Sequence, residues 1–236
     1  MDISTGLKKF NCEELPENFV SVAVQLDSSR TPFHSGIIIR LKRVEYLHHF
    51  DGNPPEVKPL SEGSEWYVYK MISEISTDDP EEVGAFLQFC KNICAKSRIS
   101  YSFIADCSSY NNRGEFITRL GLPELGTCVG FCVNTLANTL IDVDSLYFNL
   151  DDWDDSGLDD FVASWYDKQV AGEYPDLDWN LYNAFRKRIS PMEYLCSGFL
   201  SDYPISKSAV DDIKEDVQNG IEALFPDENS GIQAAS

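Results

Sequence analysis

Basic side chains are scarce. Lys and Arg number 19 against 39 Asp and Glu in 236 residues, so the formal net charge is −20. A surface of that sign repels phosphate backbones and anionic lipid headgroups, which argues against nucleic-acid binding and against an enzyme seated on a charged membrane. An acidic mimic of nucleic acid stays compatible with it. No apolar run approaches the ~18 residues that a transmembrane helix needs. The opening Met1-Asp2-Ile3-Ser4 lacks a basic segment followed by an apolar one, so no secretory signal is legible. Gly-rich phosphate loops, Gly-x-Ser-x-Gly elbows, Cys-x-x-Cys pairs, internal repeats and low-complexity tracts are all missing. The expectation is a protein made in the cytosol with reduced thiols, export by a route that reads no such signal being the alternative.

What the chain does have is core material. Hydrophobic residues make up 43%, with 14 Phe, 11 Tyr and 4 Trp, enough to fill a large domain. Phe19 to Leu26 alternates as a strand. Gly36 to Leu41 and Val44 to Phe50 flank Lys42-Arg43 as a hairpin, and Asp51-Gly52-Asn53-Pro54-Pro55 ends the ladder. Glu65 to Ile72 and Ile99 to Ala105 read as further strands. Asp79-Pro80 starts a helix whose buried stripe is Val83, Phe86, Leu87, Cys90, Ile93 and Cys94. Thr127 opens an apolar helix that runs to about Ile141. Helices are also expected over Asp176 to Ile189 and Ser208 to Leu224, after an Asp-rich stretch from Asp142 to Asp167 that holds no Lys or Arg. The fold class is therefore α+β: a core over 1–141, a helical, acidic extension over 142–225 and a flexible tail over 226–236.

The seven cysteines show no disulfide framework. Cys128 differs from the rest because it sits in the first turn of a helix. Unpaired amides and the helix dipole there favour a thiolate, and the Cys128 amide can face a developing oxyanion. Thr127 is placed to cap the helix, and Gly130 lets another segment approach. Cys90, Cys94 and Cys132 lie on apolar faces, where a thiol behaves as a small hydrophobe.

All three histidines fall within residues 34–49. His34, at the start of a strand, is placed to take a thiol proton, and a base of this kind needs a third polar group to orient its ring. His48 or His49 on the paired strand can supply it. Alternation puts those two on opposite faces, so only one shares the face of His34. Zinc held by His34, His48 and a Cys is the rival use of these side chains. Calcium held by Asp151-Asp152-Trp153-Asp154-Asp155 and Asp159-Asp160 is weighed against a solvated acidic loop, since no Gly and final Glu complete an EF-hand.

His34-Ser-Gly-Ile-Ile-Ile, the hairpin with Tyr-Leu-His48, and Cys128-Val-Gly-Phe together resemble the motifs of circularly permuted papain-like enzymes. Those include the lecithin retinol acyltransferase-like group and the NlpC-type peptidases. The resemblance spans about residues 19–141. It implies an antiparallel sheet packed against the nucleophile-bearing helix, with Cys128 as nucleophile, His34 as base and His48 as the orienting residue. Val129 stands where the NlpC pattern has Ser, and Thr127 where Asn or Asp commonly precedes the Cys. The implied activity is that of a thiol hydrolase or acyltransferase that cleaves an amide in a peptide or cell-wall peptide through a thioester, without a cofactor. A non-enzymatic acidic interaction protein, such as a toxin antagonist or a lapsed relative, is the alternative, with a protein partner held by the acidic C-terminal part.

Overall fold

The computed structural model describes residues 3–10, 15–61, 64, 67–75, 79–140 and 146–226. Its centre is a six-stranded antiparallel sheet built from β1 (Leu7–Lys9), β2 (Phe19–Leu26), β3 (Pro32–Leu41), β4 (Val44–His49), β5 (Glu56–Pro59) and β6 (Tyr67–Met71). The strands run in the order β1-β6-β2-β3-β4-β5. Lys42 and Arg43 both take left-handed backbone angles, φ 51° and 69°, the geometry that lets a two-residue hairpin follow the twist of its strands. The Asn18 side chain steadies this turn by accepting from the Lys42 amide at 2.9 Å.

Both faces of the inner strands are covered, so β2 is buried at every position except the half-buried Gln25. One face carries Val20, Val22, Val24, Ile37 and Ile39 in the main core. Onto it pack α2 (Pro80–Lys96), α3 (Cys128–Leu140) and α6 (Pro191–Ser197). The opposite face holds a smaller cluster of Phe19, Ala23, Ile38, Leu47, Tyr67 and Tyr69. Asp79 caps α2 through the Glu81 amide at 2.8 Å, and Pro80 occupies its first position, where the missing N–H costs nothing.

Part of the chain beyond residue 146 shares the main core, while Val170 and Tyr182 pack with Ile104, Leu122 and Leu125 in a separate cluster. Tyr147, Phe148, Leu195, Val210, Val217 and Ile221 pack in the same cluster as Val22 and Ile37. The expected boundary near residue 141 and the tail after Pro226 lie outside the described residues, as do Glu65 and Trp66 at the head of β6. α4 (Asp160–Glu173) occupies the end of the acidic stretch, and α7 (Lys207–Leu224) lies against α1 (Ile3–Gly6) and β1.

Three expectations are corrected. Ile99 to Ala105 does not join the sheet: β7 (Ser100–Tyr101) pairs in parallel with β10 (Leu125–Gly126), and Ile104 makes an isolated antiparallel bridge to Arg186. The helix expected over Asp176 to Ile189 is only α5 (Trp179–Ala184). Past it the backbone turns outward to the neighbouring strand: the Ala105 amide donates to the Phe185 carbonyl at 3.1 Å and the Lys187 amide to the Phe103 carbonyl at 2.8 Å. Pro54-Pro55 does not end the ladder, because β5 follows at once and pairs along β4.

The hairpin of β8 (Ser109–Tyr110) and β9 (Phe116–Ile117) leans on the last turns of α2. Gly114 in its turn has φ +74°, and a Cβ there would stand 2.5 Å from the Ile93 amide nitrogen and 2.6 Å from the Asn92 carbonyl carbon. Both contacts are backbone. Gly114→Ala is expected to cost about 3 kcal/mol or more, since left-handed strain adds to a clash that no side chain can relieve. Urea unfolding of the variant measures it.

Candidate active site

The α3 helix begins where the Thr127 hydroxyl accepts the Gly130 amide at 3.2 Å. A Cβ on Gly130 would stand 3.4 Å from the Ile104 carbonyl, so the segment before it packs closely against the helix start. Cys128 is the first helical residue and is only 7% exposed. Burial pushes its thiol above the ordinary value; the amides of Ser35 and Val129 and the Ser35 hydroxyl pull the other way. That hydroxyl has no hydrogen bond of acceptable geometry and is buried; it nevertheless lies close enough to the sulfur to favour its charged form. The Cys128 side chain rests as a neutral thiol among donors.

His34 stands at the start of β3. Alternation puts Ser35, with Ile37 and Ile39, on the face that α3 covers, and His34 with Gly36 on the other. The ladder slips between Gln25 and Leu26, leaving Phe33 as an extra residue, and such bulges re-aim neighbouring side chains. Cys128 and His34 both line one open cleft of about 710 Å³, together with Gln25, Tyr67, Tyr101 and His49. The thiol makes no hydrogen bond to the imidazole in the free protein, and catalytic pairs often close only around substrate.

The histidine that reaches His34 is His49. Gly36 pairs with His49 across the hairpin and Ile37 with His48, so His49 shares the face of His34. His34 Nε2 lies 2.9 Å from His49 Nδ1, and His49 Nε2 lies 3.0 Å from Glu56 Oε1. Chemistry then dictates the protons. A carboxylate only accepts, so His49 Nε2–H donates to Glu56 and its Nδ1 keeps a lone pair. His34 Nε2–H therefore donates to His49, and His34 Nδ1 is left with the lone pair of a base. Nothing among the described residues hydrogen-bonds that nitrogen. Burial, then the repulsion that a second protonated ring at His49 would add, brings the His34 pKa down to about 4; burial also lowers that of His49, against the pull of Glu56.

His48, the orienting residue implied by the resemblance, points the other way. Its ring is fully buried against Phe131, with centroids 4.7 Å apart. Its Nε2 lies 3.1 Å from Thr135 Oγ1 and its Nδ1 3.4 Å from the Cys94 sulfur. Thr135 already donates to the Phe131 carbonyl, so it accepts from His48, and the free Nδ1 accepts a hydrogen bond from the Cys94 S–H. This is a second thiol–imidazole pair, and its setting argues against reactivity. Cys94 lies in the last turn of α2, where the dipole opposes negative charge, and burial raises its pKa to about 12. Burial likewise brings that of His48 down to about 3.

Glu56 escapes the sequence reading because Pro54-Pro55 reads as the end of the ladder; the only signal is a Glu directly after that proline turn, seven residues past His49. Among the described residues no group of three or more His, Cys, Asp and Glu is arranged to hold a metal ion, and no helix is long and apolar enough to cross a membrane. The acids of the Asp-rich stretch turn to separate partners: Asp155 to Arg186 at 2.9 Å, Asp152 to the Lys207 amide at 3.1 Å. Compared with known proteins, the chain matches no family model, no curated protein and no solved structure.

Proposed function

We propose that the protein is a cysteine hydrolase or acyltransferase of permuted papain-like chemistry, acting on an amide in a peptide or cell-wall peptide. The observation that carries this reading is the Glu56–His49–His34 relay, which leaves a lone pair on Nδ1 of a histidine that lines the same cleft as a thiol at a helix start. The Cys128 sulfur attacks the carbonyl carbon while its proton passes to His34 Nδ1. The oxyanion is met by amides at the start of α3, and the imidazolium is stabilised through His49 by Glu56. Collapse expels the amine, which takes the proton from His34. Water, or a second nucleophile, then releases the acyl group from sulfur. No cofactor enters these steps.

Exposure to p-nitrophenyl acetate near pH 7 tests the reading. A burst of nitrophenolate equal to the protein concentration should appear, with one acetyl group mapped by mass spectrometry to Cys128 and no burst from Cys128→Ala. Acetylation absent, or spread evenly over the cysteines, defeats it. The near-burial of the Cys128 thiol is what favours the second reading, an interaction protein on a silent site, and the same burst separates the two.

A further inference from the structure

α4 brings an apolar edge to the cleft that the fold leaves uncovered. Its Tyr166 lines the cleft wall and stacks on Tyr101 at 4.4 Å, 27° between planes. Trp165 meets Tyr166 edge-on at 4.7 Å and is 51% exposed, while Phe161 one turn earlier is 81% exposed. Phe33, on the cleft's β3 wall, is 54% exposed. Large apolar side chains exposed on the helix whose Tyr166 lines the cleft of Cys128 mark a surface that something covers.

The surroundings say what sort of partner fits. Residues 142–167 contain many Asp and no Lys or Arg in a chain of net charge −20. Asp160 opens α4 beside Phe161; Asp51 lines the cleft, as does one cation, Lys58, whose charge is met by Glu56 at 2.6 Å. A ridge of aromatic rings in an acidic field complements a cationic segment that carries bulky apolar residues; an anionic or plainly polar one meets repulsion and gains little burial.

We infer that the substrate is a basic polypeptide segment, seated with an aromatic or large aliphatic residue on the Phe161–Trp165–Tyr166 edge so that its amide reaches Cys128. This rests on the proposed thiol chemistry and adds the substrate class to it. Rings on α4 supply apolar area and a cation–π partner for Lys or Arg, and the acidic field raises the local concentration of such a chain.

The test reads protection of Cys128 from iodoacetamide, followed by mass spectrometry of the intact chain. A Lys–Tyr random copolymer at low salt should slow Cys128 alkylation at least about five-fold, and added salt should remove most of that protection. A Glu–Tyr copolymer should not protect. The double variant Phe161→Ser, Trp165→Ser should lose the protection while its alkylation without polymer stays at the wild-type rate. Equal protection by the Glu–Tyr copolymer, or none by the Lys–Tyr copolymer, overturns the inference. So does a self-associated wild type that the double variant turns into monomer, since a second copy would then cover the ridge. The acetyl burst, run without polymer, reports on the thiol chemistry alone, so failure of the one is distinct from failure of the other.

Discussion

Changing His34 to Ala should slow acylation of Cys128 at pH 7 by about 10²- to 10⁴-fold, the usual worth of a positioned base. The reason lies in the protonation states at rest. Burial keeps the Cys128 thiol protonated and the His34 ring neutral at neutral pH, so sulfur becomes nucleophilic only as its proton leaves for His34 Nδ1. A predicted pH profile follows. With the base intact, the acylation rate should hold on the acid side until pH falls through about 4, where His34 takes a proton from solvent. In His34→Ala the rate should instead climb with pH into the alkaline range, tracking ionisation of a thiol whose pKa is raised. A profile unchanged by the substitution would remove His34 from the mechanism. His49 is a positioning residue, so its test is rescue: His49→Ala should lose about ten-fold or more, whereas His49→Asn, whose carbonyl can still accept from His34 Nε2–H, should recover most of it. His48→Gln should leave the acid limb where it is, because that ring faces Thr135 and Cys94.

Acidification should unfold this protein at a mild pH. Folding holds His48 neutral down to about pH 3 and His34 down to about 4, whereas both would titrate near 6.5 in the unfolded chain. Between those values the unfolded state binds more protons than the native one, so stability falls as pH drops below 6.5. At pH 4.5 each ring contributes about two pH units of that loss, roughly 3 kcal/mol each at 1.36 kcal/mol per unit. Together these approach the whole stability of an ordinary domain, about 5–15 kcal/mol. The buried Asp106 acts in the opposite sense, because burial raises its pKa and its protonation favours the fold at low pH. Urea midpoints at pH 7, 5.5 and 4.5 measure the loss. His48→Gln, which titrates in neither state, should recover about half of it, and a midpoint that does not move between pH 7 and 4.5 would contradict the burial of both rings.

The hairpin and its flanking strands were legible because each run alternates and Lys42-Arg43 separates them at the right length. The two longest helices, expected from Asp79-Pro80 onward and over Ser208 to Leu224 and found as Pro80–Lys96 and Lys207–Leu224, carry either a cap-and-proline start or a sustained apolar stripe. Ile99 to Ala105 misled because its β-branched and aromatic composition suits burial of any kind. Those residues lie between α4 and the start of α3, where the backbone finds partners in two separate short pairings. At the site, Cys128 and His34 stood out as a helix-start thiol and a strand-start imidazole. The choice between His48 and His49 did not, since their neighbouring positions in one strand make them equivalent until a register is known.

Local chemistry along the chain was sufficient to settle what depends on neighbours in sequence: the turn, the caps, the apolar stripes and the acid excess. Which faces of the sheet those stripes cover, that Glu56 returns on an edge strand opposite His49, that α6 and α7 join the main core and that α4 brings Tyr166 to the cleft lined by Cys128 were decided by the tertiary structure. The physical reason is that strand register is a pairing between distant segments. One step of slip exchanges the two faces, and with them the histidine that reaches the cleft and the one that is buried in the core.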